Sequence, residues 1–203
     1  YTKRILKLGL PVATLNVLFA FVNMFLSRFA SEQGGHIGLM TLTTGGQIEA
    51  ITWNTSQGFS TALGAFVAQN YAAGKMNRVI KAYKNTLLMT SVFGFFATLL
   101  FVFFGKEVFS IFVPEAEAFI AGGIYLRISG YSQLFMMLEI TTQGLFYGTG
   151  RTIHPAIIGI AGNYLRIPLS IFLISLGLGI TAIWWAITIS CVVKGIAAFL
   201  WFM

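Results

Sequence analysis

Residues 85–105, NTLLMTSVFGFFATLLFVFFG, form an uninterrupted apolar stretch without a charged side chain, between Lys84 and Lys106. A helix needs about 20 predominantly apolar residues to cross the ~30 Å hydrocarbon core of a bilayer. A membrane-spanning strand instead alternates apolar and polar residues over segments of about ten. Because the run is continuous and twice that length, we predict that these residues form a helix across a membrane.

The composition of the whole chain points to the same environment. Of the 203 residues, 57% are hydrophobic and 9% are charged, and the mean hydropathy is +0.81. A soluble domain has about 25% charged residues and could not cover its folded surface with so few polar groups. This composition excludes a soluble enzyme and a disordered or fibrous chain. We predict an all-α membrane protein whose surroundings are membrane lipid.

Charge-free windows and turn signals predict five further spans. Residues 8–27 and 50–74 are free of charge, and the Leu-Gly-Leu-Gly run at residues 176–179 predicts a tight turn. Residues 106–114 are amphipathic and aromatic, and they predict a short interfacial helix. The chain is therefore predicted to be a single six-helix transmembrane lobe over residues 1–203. The spans are predicted at about residues 6–30, 45–73, 82–104, 117–147, 153–176 and 180–203.

The basic residues mark one side of the predicted membrane. Eight of them lie before the first span and after the second and fourth spans, against two on the opposite side. Cytoplasmic connections carry an excess of Lys and Arg. We predict a multi-pass protein of the cell (inner or plasma) membrane with both ends cytoplasmic, and the net charge of +7 needs no nucleic acid to explain it. The eight are Lys3, Arg4, Lys7, Lys75, Arg78, Lys81, Lys84 and Arg151, and the two are Arg28 and Lys106.

A polar stripe runs along the second predicted span. Its members recur at spacings of three and four, which places them on one helical face. Such a face is costly in lipid and is expected to face other helices or a watery cavity. Two interpretations stay open: interhelical hydrogen bonds alone, or the lining of a path for a substrate or ion. The stripe consists of Glu49, Trp53, Gln57, Ser60 and Gly64.

The fourth predicted span carries a sharper candidate, Glu139. Glu139 lies roughly 13 Å from the inner end of the span, where an isolated carboxylate is cheaper when protonated than when charged. That property suits a proton carrier, although a structural partner for a buried cation is the alternative. Arg166 lies at a similar depth, roughly 16 Å, so an ion pair between Glu139 and Arg166 is geometrically possible. Thr142, Gln143 and Tyr147 are predicted on the face of Glu139, whereas Arg127 and Lys194 are expected to extend to the interfaces.

Motifs for enzymatic or metal chemistry are missing from the sequence. It contains no aspartate and no His-Glu-x-x-His, Gly-x-Ser-x-Gly or phosphate-binding loop motif. His36 and His154 have no second ligand near them in sequence. We expect neither an enzyme nor a metal site nor an organic cofactor.

Four short motifs, in register from end to end, resemble one transporter family. The run FVAQNYAAGK at residues 66–75 is similar to the close of the second helix in multidrug and toxic compound extrusion (MATE) transporters. The run GTGRTIHP at residues 148–155 resembles their turn between the fourth and fifth helices. LRIPL at residues 165–169 resembles a fifth-helix motif of their C-terminal half, and Leu10-Pro11 fits the first helix.

The resemblance implies a function as well as a fold. MATE transporters have twelve helices in two lobes, and they expel cationic or lipophilic drugs in exchange for protons or sodium ions. The resemblance implies that this chain is one six-helix lobe, with the C-terminal lobe favoured, and that a second six-helix lobe is its partner. Small cationic or lipophilic molecules are then the substrates, and H⁺ or Na⁺ is the coupling ion. The residues expected at the ion-coupling site and substrate cavity are Glu139, Gln143, Thr142, Glu49, Trp53, Gln57 and Arg166.

Two alternatives remain open from the sequence. One is a lobe of a lipid-linked oligosaccharide flippase of the same superfamily, which should line its cavity with several arginines for phosphates. The chain offers only Arg166 well inside a span. The other is a six-helix membrane scaffold that transports nothing, against which the polar faces of the second and fourth spans argue.

Overall fold

The computed structural model describes the backbone of residues 2–202 and the side chains of residues 17–202. The prediction of an all-α protein is confirmed, because the described backbone consists of six helices and short connections. The basic side chains of Lys3, Arg4 and Lys7 lie outside the described part. The helices are α1 (Thr2–Ala72), α2 (Met76–Phe112), α3 (Ala116–Gly130), α4 (Gln133–Gly148), α5 (Ile153–Ser175) and α6 (Thr181–Phe202).

The first two predicted spans, 6–30 and 45–73, belong to one element, α1. The connection expected between them is helical except at Gly35, whose φ of 57° and ψ of −143° break the helix. A positive φ is accessible to glycine at little cost because glycine has no Cβ. The chain reverses so tightly here that a side chain at Gly38 would collide with the carbonyl oxygen of Ala30. A single glycine therefore replaces the predicted loop.

The boundaries of the next two predicted spans also differ from the structure. The span 82–104 and the separate interfacial helix merge into α2, with one non-helical residue at Phe104 (φ −118°, ψ 17°) and an end at Phe112. The span 117–147 divides into α3 and α4 at a helical turn through Tyr131 and Ser132, whose dihedral angles both remain in the right-handed helical region. Serine side chains compete for backbone carbonyls, and the Ser132 hydroxyl donates to the Ser129 carbonyl over 2.8 Å at this turn. α5 and α6 lie within the predicted ranges 153–176 and 180–203.

Large apolar side chains cover the outside of the bundle as well as its core. The core joins α1, α2, α3 and α6, and Tyr125 meets Trp184 edge to face there with ring centroids 4.8 Å apart. On the outer side of α2, Leu88, Phe96 and Phe103 are more than 60% exposed. Among the described residues, α2, α5 and α6 are long and apolar enough to cross a membrane. An apolar exterior of this kind suits contact with lipid.

Glycines bring α1 and α4 into close contact along one seam. A Cβ atom at Gly144 would lie 2.5 Å from the carbonyl oxygen of Ser60, and one at Gly148 would lie 2.6 Å from that of Gly64. Small residues four apart let two helix backbones approach in this way. The seam fixes the position of the face of α4 that carries Glu139.

Gly144→Ala is expected to lower the free energy of unfolding by about 1–3 kcal/mol, the usual cost of overpacking. The added methyl group would meet backbone rather than a movable side chain. Gly58→Ala is the matched control, because a Cβ there meets nothing within 4 Å and alanine favours a helix by about 1 kcal/mol over glycine. Thermal unfolding of both purified variants tests the seam, and equal midpoints would contradict it.

Candidate functional site

Glu139 lies in the middle of α4, with 4% of its surface exposed. One carboxylate oxygen, Oε2, is 3.2 Å from the ammonium nitrogen of Lys194 on α6. The other, Oε1, accepts a hydrogen bond of 3.0 Å from the side-chain amide of Gln143, one turn along α4. A buried carboxylate requires such partners, because an unpaired charge in the membrane interior is expensive. Glu139 therefore forms a buried ion pair with Lys194, and its second carboxylate oxygen accepts a hydrogen bond from the Gln143 amide.

Arg166, the candidate partner of Glu139 from the sequence, does not pair with it in the structure. Arg166 is also buried, but its Nε donates to the Ser190 hydroxyl (3.2 Å) and its terminal Nη2 to the Cys191 sulfur (3.4 Å). In the described part of the chain, no carboxylate oxygen lies within 4 Å of its guanidinium group. Counting residues along the helix predicts the depth of Arg166 but not the direction in which its side chain points around the helix axis. α4 packs extensively against α6 and only marginally against α5, so the cation that reaches Glu139 comes from α6.

The expectation that Lys194 extends to the interface was wrong. Its side chain is 11% exposed and lies across α5 at Gly162, where a Cβ atom would overlap the lysine stem. The Gly162 carbonyl is not left unpaired, because it accepts a hydrogen bond of 2.6 Å from Ser190. A missing side chain on α5 thus opens the route by which Lys194 reaches Glu139. Arg127, by contrast, is exposed near the end of α3.

Thr142 and Gln143 face different neighbours, although both were expected beside Glu139. Thr142 is fully buried, shares a hydrogen bond of 2.9 Å with the hydroxyl of Tyr83 on α2, and donates to the Leu138 carbonyl. Gln143 remains on Glu139, and Tyr147 follows one turn later. Gln143 therefore belongs to the ion-pair site, whereas Thr142 joins α4 to α2.

Glu49 forms a second, partly buried polar cluster, away from Glu139. Its Oε2 accepts a hydrogen bond from the Tyr125 hydroxyl (3.0 Å), and its Oε1 accepts one from the Gln133 amide (3.4 Å). The Thr52 hydroxyl donates to the Gln133 carbonyl oxygen over 2.7 Å. These bonds join α1 to α3 and α4 through neutral donors. Glu49, the first residue of the polar stripe, thus makes the interhelical contacts that one interpretation predicted.

The last three residues of the stripe, Gln57, Ser60 and Gly64, line an open cleft between α1 and α4. The cleft has a volume of about 360 Å³, within the range of about 300–1,000 Å³ typical of small-molecule pockets. Gly64 and Gly148 are among its lining residues, and so is the half-exposed Tyr147. Trp53, one turn before Gln57, is 45% exposed. The lining residues are Gln57, Ser60, Thr61, Gly64, Ala65, Ala68, Tyr147 and Gly148.

The cleft and the ion pair lie on one continuous face of α4. Tyr147 in the lining of the cleft, Gln143 and Glu139 follow one another at intervals of one helical turn, about 5.4 Å. Aromatic, amide and hydroxyl groups line the cleft together with apolar alanines, and the ion pair of Glu139 and Lys194 lies two turns away along α4.

The structure adds residues that the sequence did not single out as site residues. Lys194 is the one charged residue within α6, but its nearness to the inner end of the sixth predicted span suggested an interfacial position. Tyr125, Gln133 and Tyr83 give no signal in sequence, because their roles depend on which helices become neighbours. Among side chains 17–202 no group of three or more His, Cys, Asp or Glu residues could hold a metal ion.

Comparison with known proteins gives consistent matches. The MatE family model matches residues 11–172. The curated protein described as "probable multidrug resistance protein NorM" from Thermotoga maritima is 25% identical over 162 residues, which cover 77% of this chain and 33% of that protein.

Solved structures of transporters share the fold. An outward-facing multidrug resistance MATE family transporter of the MOP superfamily matches 98% of this chain and 45% of its own, with a TM-score of 0.87 and 21% identity. A MOP superfamily transporter from Pyrococcus furiosus, for which reverse polarity of the binding pocket is said to suggest a different function, has the same TM-score and coverage at 22% identity. The chain spans about a third of the curated relative and just under half of the solved chains.

Proposed function

The chain belongs to the MatE family, and from this premise we propose that it forms one lobe of a transporter that expels small cationic or lipophilic molecules in exchange for protons or sodium ions. The observation that carries the proposal is the buried Glu139 carboxylate, two turns from an open cleft on the same helix. A transporter needs a site whose charge can be exchanged beside a path for cargo. The proposal includes a second six-helix lobe, with the C-terminal lobe favoured for this chain, and no enzymatic activity or cofactor.

The chemistry of Glu139 links the two ligands. A carboxylate in a dry interior requires a positive partner or a proton, because its unpaired charge is costly. A proton or cation arriving at Glu139 therefore changes the local charge, and a positively charged cargo in the cleft is attracted only while the carboxylate remains ionised. Binding of the coupling ion and binding of the cargo then oppose each other, as exchange requires.

The cleft favours this function over the two alternatives. Its described lining contains no arginine, and Arg166 is directed at Ser190 and Cys191. A flippase for phosphate-bearing lipids would present guanidinium groups to the cavity. A scaffold would have no use for an open cleft beside a buried ion pair, so transport of cations is the better fit.

Gradient-driven efflux from proteoliposomes tests the proposal. The complete two-lobe protein is reconstituted, the vesicles are loaded with the lipophilic cation tetraphenylphosphonium, and a proton or a sodium gradient is imposed with the membrane potential clamped. Efflux is expected to accelerate with at least one of the two gradients and not in protein-free vesicles. Efflux that responds to neither gradient would overturn the proposal.

A further inference from the structure

We propose that Lys194 is a built-in competitor at Glu139: its ammonium group occupies the place that the driving proton or cation must take during transport. The inference rests on the proposed function and deepens it, because it names the residue that sets how strongly Glu139 binds the driving ion. The proposed exchange would by itself require only the Glu139 carboxylate and not a lysine beside it.

Each carboxylate oxygen of Glu139 already has a partner in the described structure. Lys194 Nζ lies 3.2 Å from Oε2, and the Gln143 amide lies 3.0 Å from Oε1. The side chains of Glu139 and Lys194 are 5% and 11% exposed, so little solvent shares the site. An arriving cation or proton therefore competes with the lysine ammonium for the same carboxylate charge, and it is bound more tightly when the ammonium moves away.

Among the described residues, the other charged or titratable side chains near the site do not form an ion pair with Glu139. On α5, Arg166 is held by Ser190 and Cys191, and on α2, Tyr83 is held by Thr142. Tyr147 lies two turns along α4 from Glu139 and is half exposed. Within the described side chains, the ion pair of Glu139 is with Lys194 alone.

The surroundings of Lys194 allow it to leave. Its four-carbon stem lies over Gly162, which provides space without holding the stem by a side chain. Lys194 is eight residues before Phe202, at the end of α6, so the inner end of the helix is roughly 12 Å away. A lysine can place its ammonium group several ångströms from its Cα and extend it towards an interface. The proposal therefore gives Lys194 two positions: the observed one on Glu139, and a second one directed towards the end of α6.

The competition has a functional consequence. With Lys194 in place the Glu139–Lys194 pair carries no net charge and requires no external ion. Weakening or strengthening the internal cation should then shift the affinity for the driving ion in opposite directions. A purely structural staple would instead change stability and leave that affinity unchanged.

Two substitutions of Lys194 separate these roles in the proteoliposome assay with the complete protein. Lys194→Met keeps the stem and removes the ammonium, which leaves the carboxylate uncompensated. It is expected to lower the half-saturating concentration of the driving ion by about tenfold or more and to slow maximal efflux of tetraphenylphosphonium. Lys194→Arg can pair with the carboxylate through two parallel hydrogen bonds, and it is expected to raise that concentration by several-fold. Lys84→Met, at an exposed lysine of α2, is the matched control.

The outcomes distinguish this inference from the function on which it rests. If wild-type protein transports with a gradient but neither variant shifts the half-saturating concentration, Lys194 is a staple and the inference fails. If Lys194→Met does not fold, the inference is decided by Lys194→Arg, which keeps the charge: a rise supports it and no rise overturns it. Wild-type protein without gradient-driven efflux would overturn the proposed function and the inference together.

Discussion

Glu139→Gln is expected to reduce gradient-driven efflux to the level of protein-free vesicles. Glutamine keeps the size and one of the two side-chain oxygens, which Gln143 and Lys194 contact separately in the wild-type protein, but it cannot be ionised. The exchangeable charge is thereby lost, while the cleft between α1 and α4 is unchanged. The measurement is tetraphenylphosphonium efflux from proteoliposomes under the gradient that drives the wild-type protein.

Two further variants control for effects on folding and on surface charge. Breaking a buried pair by removing one partner typically costs about 3–5 kcal/mol, because the remaining charge is uncompensated. The double variant Glu139→Gln/Lys194→Met removes both charges, and it is expected to recover thermal stability without recovering efflux. Glu117→Gln, at an exposed position of α3, should transport normally. Wild-type efflux in Glu139→Gln would exclude Glu139 from the mechanism and leave it a structural partner of Lys194.

Much of the fold could be predicted because lipid imposes simple rules on sequence. A continuous apolar run must be helical, since its backbone groups can be satisfied only within the segment. The uncharged run 85–105 therefore identified a helix, and the Gly-rich turn at residues 176–179 separates α5 from α6. The conformation of the connections between spans was harder to predict, because helical and non-helical connections have similar amino-acid compositions. Only a positive φ at Gly35 distinguishes the reversal in α1 from an ordinary glycine within a helix.

The candidate site was predictable in depth but not in pairing. The helical rise is fixed at 1.5 Å per residue, so residue counts placed Glu139 and Arg166 at similar depths. Which side chains meet depends on how each helix is rotated and on which helices become neighbours. Gly162 decides this locally, because its missing side chain lets Lys194 cross α5. A glycine that enables a contact between two other residues leaves no trace that a single sequence can show.

The membrane orientation leads to the second large expected effect, an all-or-none difference in labelling. A cysteine at Lys81 should react with a membrane-impermeant maleimide only from the cytoplasmic side, and a cysteine at Glu115 only from the opposite side. Both positions are exposed, and they flank most of α2. The 37 residues of α2 are about 55 Å long, more than the ~30 Å hydrocarbon core. Four basic residues lie in its first turns and the preceding turn, Lys75, Arg78, Lys81 and Lys84, and they predict a cytoplasmic position for its start.

The labelling background is a cysteine-free protein. The single cysteine of the chain, Cys191, is buried and accepts a hydrogen bond from Arg166. Cys191→Ser keeps an acceptor at that position, so Arg166 remains satisfied and the fold should tolerate the change. Intact cells report one side of the membrane and inverted vesicles the other. If both cysteines react from the same side, α2 does not cross the membrane, and the cytoplasmic placement of the two chain ends fails with it.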